Sequence, residues 1–282
     1  MGHLLIWIIG LKQTCSHWIL KKTSFIQFLT KSSSHIPISV GCDNNIKSNT
    51  TNIKFLGIMI DNTLTWNSHI ETFIPKVSVA CFVVGAIKPF VTQGILKMVY
   101  HFYFHSLINY GTIFWGNSSY CNSIFKLWKR IIKIIRGIGI WDSYRELYKI
   151  LNIILLISQH IFSIVLFVVN NKNQFRMNSE IHSINTMNNS NFHQILSHLT
   201  IYQKGPFVCI LRYITFLPPD IKYLSHNIKK FKSFLRSFLH QHSLYRLDKY
   251  FNYGAVVWYI LTNKFIFIIL SLAWNFEVCV HM

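Results

Sequence analysis

From His69 onward the apolar residues of this chain recur at intervals of three and four, and that period commits most of it to amphipathic helix. The clearest stretch is KLWKRIIKIIRG at 126–137. Wound at about 100° per residue, it puts Lys126, Lys129, Arg130, Lys133 and Arg136 on one arc. Leu127, Trp128, Ile131, Ile132, Ile134 and Ile135 take the other side. The same spacing predicts helices over 69–88, 92–109, 119–137, 143–151 and 155–170, with KPF and NYG as punctuation. A last amphipathic helix is predicted over 226–241. In it Phe231, Phe234, Leu235 and Phe238 share a face that Lys229, Lys230, Lys232 and Arg236 avoid.

Ahead of His69 the pattern is different. IPISV (36–40) and IKFLGIMI (53–60) read as strands, parted by a polar, Asn-rich turn containing GCDNN. Residues 170–205 are rich in Asn, Ser and His and read as a long loop or link. The fold class is therefore α+β and predominantly α-helical, with a short β-hairpin near the N-terminus.

The charge balance narrows the partners. Lys and Arg number 28 against 9 Asp and Glu, a formal net charge of +19, so a polyanion is the expected counterpart. Nucleic acid and anionic lipid both qualify, since a membrane-surface helix would also bury Trp128 and Ile side chains. Two stretches imitate membrane spans. ILNIILLISQHIFSIVLFVV (150–169) has no charge, and AVVWYILTNKFIFIILSLAW (255–274) is interrupted by Asn263 and Lys264. A small basic membrane-associated protein is thus the alternative reading. The 6 cysteines are dispersed with no CxxC pair, which argues against a zinc ribbon or a dense disulfide scaffold and toward reduced thiols in an intracellular compartment. The first residues lack a basic n-region and a small-residue cleavage site, so no signal peptide is expected.

Chemistry-bearing motifs are few. HFYFH sets His101 and His105 one turn apart, a metal-site spacing, but no third ligand presents itself, and packed histidines are the expectation. The aromatic residues from Tyr100 to Trp115 fit a core better than base-stacking platforms. There is no GxSxG elbow, Walker loop or GxGxxG turn.

Several blocks in order resemble the reverse transcriptase of a jockey-like non-LTR retrotransposon. KKTSFIQFLTK (21–31) resembles its Lys-Thr segment, and FLGIMIDNTLTWNSHI (55–70) its primer-grip strand and the start of its thumb. VYHFYFHSLINYGTIFWGNSS (99–119), KLWKRIIKIIRG, YRELYKILNIIL (144–155), LPPDIK (217–222), KKFKSFLRSFL and SLYRLDKYF (243–251) continue the pattern. The resemblance covers roughly 18–251. It implies a division into a non-family apolar N-terminus (1–18), a palm-edge and primer-grip remnant (19–66), a helical thumb-like region (67–170), a polar linker (171–205), a basic C-terminal helical region (206–251) and a non-family hydrophobic tail (252–282).

The family's catalytic carboxylates lie upstream of the Lys-Thr segment, and two-metal polymerase chemistry needs them close together. The acids here are Asp43, Asp61, Glu71, Asp142, Glu146, Glu180, Asp220, Asp248 and Glu277, no two adjacent. Asp142 and Glu146 alone fall within one helical turn, beside Arg145 and Lys149, as a surface pair would. Ile19 stands where the family has Asn, so no proton-donating role passes to Lys22. HSINTM keeps His182 and Thr186 but has Met187 where the family has Arg. The resemblance implies a non-catalytic remnant of an RNA-directed DNA polymerase that clasps RNA or an RNA–DNA duplex, with no metal or cofactor. Its contacts would be the nine cations of the two basic helices, and it would have no polymerase activity alone. An unstable product is the third outcome, because a partial palm leaves strand edges unpaired.

Overall fold

The structure is a computed structural model, and it describes residues 26–28, 40–42, 45–47, 49–139, 147–181, 191–193, 206–242, 244, 247 and 249–251. Outside these lie Lys22 and Ile19, most of IPISV, Asp142 and Glu146, His182 to Met187, and the apolar stretch 255–274. The chain forms two compact units, one of residues 1–147 with 197–205, the other of 148–196 with 206–282.

The first unit contains two separate antiparallel hairpins. In one, β1 (Val40–Cys42) pairs with β2 (Asn45–Lys47). In the other, β3 (Asn52–Phe55) pairs with β4 (Ile58–Asp61) in the register Asn52↔Asp61 to Phe55↔Ile58. This corrects the reading of 53–60 as a single strand. Leu56 and Gly57 both have positive φ, 46° and 80°, the signature of a two-residue type I′ turn, so the apolar run folds back on itself. The Tyr110 hydroxyl donates to the Leu56 carbonyl and pins that turn. Gly111 abuts the same hairpin: a Cβ there would come within 2.7 Å of Ile58 Cδ1 and displace that side chain, and its φ of 67° favours glycine.

Five residues of loop lead from β4 into helix α1 (Asn67–Ile87). Leu64 and Trp66 hold left-handed φ values of 50° and 65°, which costs an L residue roughly 1–2 kcal/mol each. The Asp61 carboxylate offsets that cost. One oxygen accepts from the Thr65 N–H (2.8 Å), the Thr65 hydroxyl (2.6 Å) and the Thr63 hydroxyl (2.9 Å), and the other from the Trp66 N–H (2.8 Å). Burial pushes the Asp61 carboxyl up, yet the bonds from Thr65, Trp66 and Thr63 outweigh it and hold it below the ordinary carboxylate range.

Ile70, Phe73, Val77, Ala80, Cys81 and Val84 line the buried face of α1. It packs against α5, where Gly85 lies beside Ile134 and the Cys81 thiol donates to the Leu127 carbonyl at 3.7 Å. Between them a 3-10 turn (Lys88–Phe90) leads to one near-continuous helical run: α2 (Gln93–Val99), a π-helical turn (Tyr100–His105) and α3 (Ser106–Asn109). That run occupies the helix expected at 92–109, with a widened turn the spacing did not foretell. Leu96, Tyr100, Phe104 and Ile108 are its buried side chains. After Gly111 come α4 (Thr112–Trp115) and α5 (Cys121–Arg136), the latter contributing Ile124, Trp128, Ile131, Ile132 and Ile135 to the core.

The chain passes between the units at α6 (Leu147–Leu151). Asn152, at φ 54°, ends that helix, and Leu155 is extended before α7 (Leu156–Asn170) begins. The uncharged run 150–169 is therefore broken in two. The helical part, 15 residues, measures about 22 Å, short of a bilayer's roughly 30 Å core. It is a core helix: Leu156, Ile161, Phe162, Ile164, Val165 and Val168 are buried, and so are Ser158, Gln159 and His160. The stretch read as a loop from 170 holds a 3-10 turn (Lys172–Gln174), α8 (Asn178–Ile181) and a bridge between Met177 and Phe192. Then come α9 (Pro206–Thr215), α10 (Pro219–Tyr223) and α11 (Ile228–His242), with α9 and α11 packed on α7. Tyr250 donates to the Tyr213 carbonyl at 2.7 Å and, with Phe251 stacked on Tyr213, closes this core.

Candidate nucleic-acid interface

Helix α5 divides cleanly. Its buried seam of Cys121, Ile124, Trp128, Ile131, Ile132 and Ile135 fixes the helix rotationally. Lys126, Arg130 and Arg136 are exposed on the other side, and Lys129 and Lys133 are half-buried beside them. Lys129 lies over the Phe125 ring, its Nζ 4.5 Å from the centroid, a cation–π contact that steadies the head group without neutralising it. From Lys126 to Arg136 the row is about 15 Å long, the axial span of roughly four phosphates on one strand of a duplex. Gly137 ends the helix at φ 74°, its N–H bonded to the Lys133 carbonyl at 2.8 Å, the left-handed cap that glycine supplies cheaply.

Helix α11, in the second unit, carries the other four. Lys229, Lys230, Lys232 and Arg236 are all exposed. The buried seam is Phe231, Leu235 and Leu239, spaced by four. This corrects the expected face of Phe231, Phe234, Leu235 and Phe238: Phe234 is 57 % exposed, Phe238 is half-buried against the His242 ring, and Leu239 takes the buried place. The Asn227 side chain accepts from the Lys230 N–H at 3.2 Å and caps the helix start.

Three of the four described acids are engaged elsewhere, and the fourth, Asp220, is exposed in the first turn of α10. Asp61 is consumed by its loop. Glu71 accepts from the Asn67 amide at 2.8 Å, and Glu180 from the Met177 N–H at 3.4 Å. Among the described residues no three His, Cys, Asp or Glu side chains come together as a metal site. His101 and His105 face each other edge-on at 5.5 Å on the π-helical turn, half-buried and alongside Tyr100. Of the aromatic residues around them, Tyr100, Phe104 and Trp115 are core, while Phe102 is 82 % exposed.

Two features of the first unit were not foreseen. His69 is buried, accepting from the Met59 N–H at its Nδ1 (3.3 Å) and stacked on Phe73; burial, with Lys76 nearby, pulls its pKa down and keeps it neutral. The Asp-x-Thr-x-Thr spacing of 61–65 was the available signal for the loop, because Asp and Thr side chains bond nearby backbone. The second is a solvent-facing apolar stripe on α1, opposite its core face. No family model, curated protein or solved structure matches this chain.

Proposed function

We propose that the chain clasps the phosphate backbone of RNA or an RNA–DNA duplex without reading sequence, as the post-catalytic segment of a retrotransposon-type RNA-directed DNA polymerase, and that it performs no phosphoryl transfer itself. The observation that supports this most is the α5 row: three exposed and two half-buried cations on a helix whose opposite face is locked into the core. A fixed row of charges suits a regular polyanion, and counterion release on contact supplies affinity without specificity. The net charge of +19 and the second exposed row on α11 point the same way.

Fluorescence anisotropy with a labelled RNA–DNA duplex tests it. Five phosphate contacts give a slope of about −4.5 in log K against log salt, and replacing Lys126, Lys129, Arg130, Lys133 and Arg136 by Gln flattens it and weakens binding about a hundredfold or more. No binding at about 50 mM salt, or a slope the replacements leave untouched, would sink the clasp. Primer extension on an RNA template with Mg²⁺ or Mn²⁺ is expected to yield no product; a product would refute the non-catalytic reading.

A further inference from the structure

Helix α1 and the turn after it, Asn67–Phe90, are long and apolar enough to cross a membrane, yet only 33 % of their most apolar window is buried. The uncovered part is organised. Val79, Phe82 and Ala86 lie within about 60° of one another on the helix wheel, nearly opposite the core residues Ile70, Val77 and Val84. Phe90 extends the stripe and is 86 % exposed; Phe82 is 74 % exposed. On the next helical run Met98 and Phe102, 54 % and 82 % exposed, leave a second apolar edge open to solvent.

We propose that this stripe is a docking surface for an anionic phospholipid bilayer, on which α1 lies in the plane of the headgroups. It does not cross, because its other face is engaged with α5. Charge complementarity selects the occupant. Setting aside the five cations of α5, residues 49–139 hold Lys54, Lys76, Lys88 and Lys97 against Asp61, buried in its loop, and Glu71. Lys76, exposed about 60° from Val79 on the wheel, and half-buried Lys97 next to Met98 flank the apolar residues and meet lipid phosphates as the Phe rings enter the acyl boundary. A second copy of this chain would bring like charges together. A single-stranded nucleic acid would find no ring for stacking at Val79, Ala86 or Met98. The proposal is independent of the nucleic-acid reading, which uses α5 and α11.

Vesicle flotation with the full chain decides it, using phosphatidylcholine alone against phosphatidylcholine with about one-third phosphatidylserine. The chain is expected to float with the anionic vesicles preferentially. The variant Phe82→Gln/Phe90→Gln/Phe102→Gln, its helical circular dichroism unchanged, is expected to partition at least about tenfold more weakly. A second variant, Lys76→Glu/Lys97→Glu, keeps the stripe and is expected to lose the preference for phosphatidylserine. Duplex binding should be the same in the Phe variant as in the parent. Absence of flotation overturns the proposal. So does a Phe variant that floats like the parent, which would move any membrane contact to another segment such as 255–274. Loss of duplex binding or of self-association in the Phe variant, with flotation intact, reassigns the stripe to nucleic acid or to a second copy.

Discussion

Helices α5 and α11 look alike as sequence, each a row of cations beside an apolar seam, but they hold their charges in different ways. In α5 the last turn carries Lys133 and Arg136, where the partial negative charge of a helix C-terminus favours cations. In α11 Lys229 and Lys230 sit in the first turn, at the positive end, where the same dipole opposes them and the Asn227 cap is the compensating contact. The seams differ too, six residues centred on Trp128 against Phe231, Leu235 and Leu239. Helical stability alone accounts for part of the α5 row. It does not account for the start of α11, so an anionic partner explains more there. A cation placed with the helix's field serves the helix as well as a ligand, whereas one placed against it has no such local reason to be there.

The comparison can be broken most forcefully at Trp128. Replacing this buried ring by Ala should cost about 3–5 kcal/mol in urea unfolding followed by circular dichroism; a loss under about 1 kcal/mol would mean that α5 is not anchored as described. Next comes Asp61, which positions α1 beneath α5 and has no counterpart in α11. Asp61→Ala should cost about 1–3 kcal/mol through its lost hydrogen bonds. Because the folded-state pKa is lowered, Asp61 stabilises the first unit above the ordinary carboxylate value of about 3.9, and that stabilisation drains away as pH falls through the lowered value. Stability measured from neutral to acid pH should therefore fall less steeply in Asp61→Ala than in the parent. Gly137→Ala should cost about 1–2 kcal/mol, since Ala resists φ 74°.

Smaller still are the dipole effects, and they carry opposite signs. Lys229→Gln and Lys230→Gln should each stabilise the fold by about 0.3–1 kcal/mol while weakening duplex binding, whereas Lys133→Gln and Arg136→Gln should destabilise and weaken together. Equal signs in thermal melts of the two pairs would erase the distinction drawn between the helices. Phe234→Ala should change stability by no more than about 0.5 kcal/mol, because its ring is mostly in solvent.

Helix period was the legible part of this sequence. The expected 119–137 became Cys121–Arg136 and 69–88 became Asn67–Ile87, because a one-sided apolar seam sets helix and core face together. Exposure of the nominated cations came from the same pattern. What escaped was backbone conformation that residue type does not advertise. Leu56 at positive φ turned one apparent strand into a hairpin, and Asn152 split an uncharged run that hydropathy read as continuous. On α11, Phe234 and Leu239 exchanged places because hydrophobicity alone does not say how far round a helix its neighbours reach.

The widened turn from Tyr100 to His105 has one more consequence. A π turn accommodates an extra residue in the winding, so it acts as a phase adjuster between the helix on its N-terminal side and the helix on its C-terminal side. Leu96 on one side and Ile108 on the other are both buried only because the adjuster is there. Excising its one extra residue would let the run relax to regular winding with both flanks still in phase, whereas winding all of its residues as regular helix would swing every later side chain by about 100°, unseating Tyr110 from the hairpin it fastens.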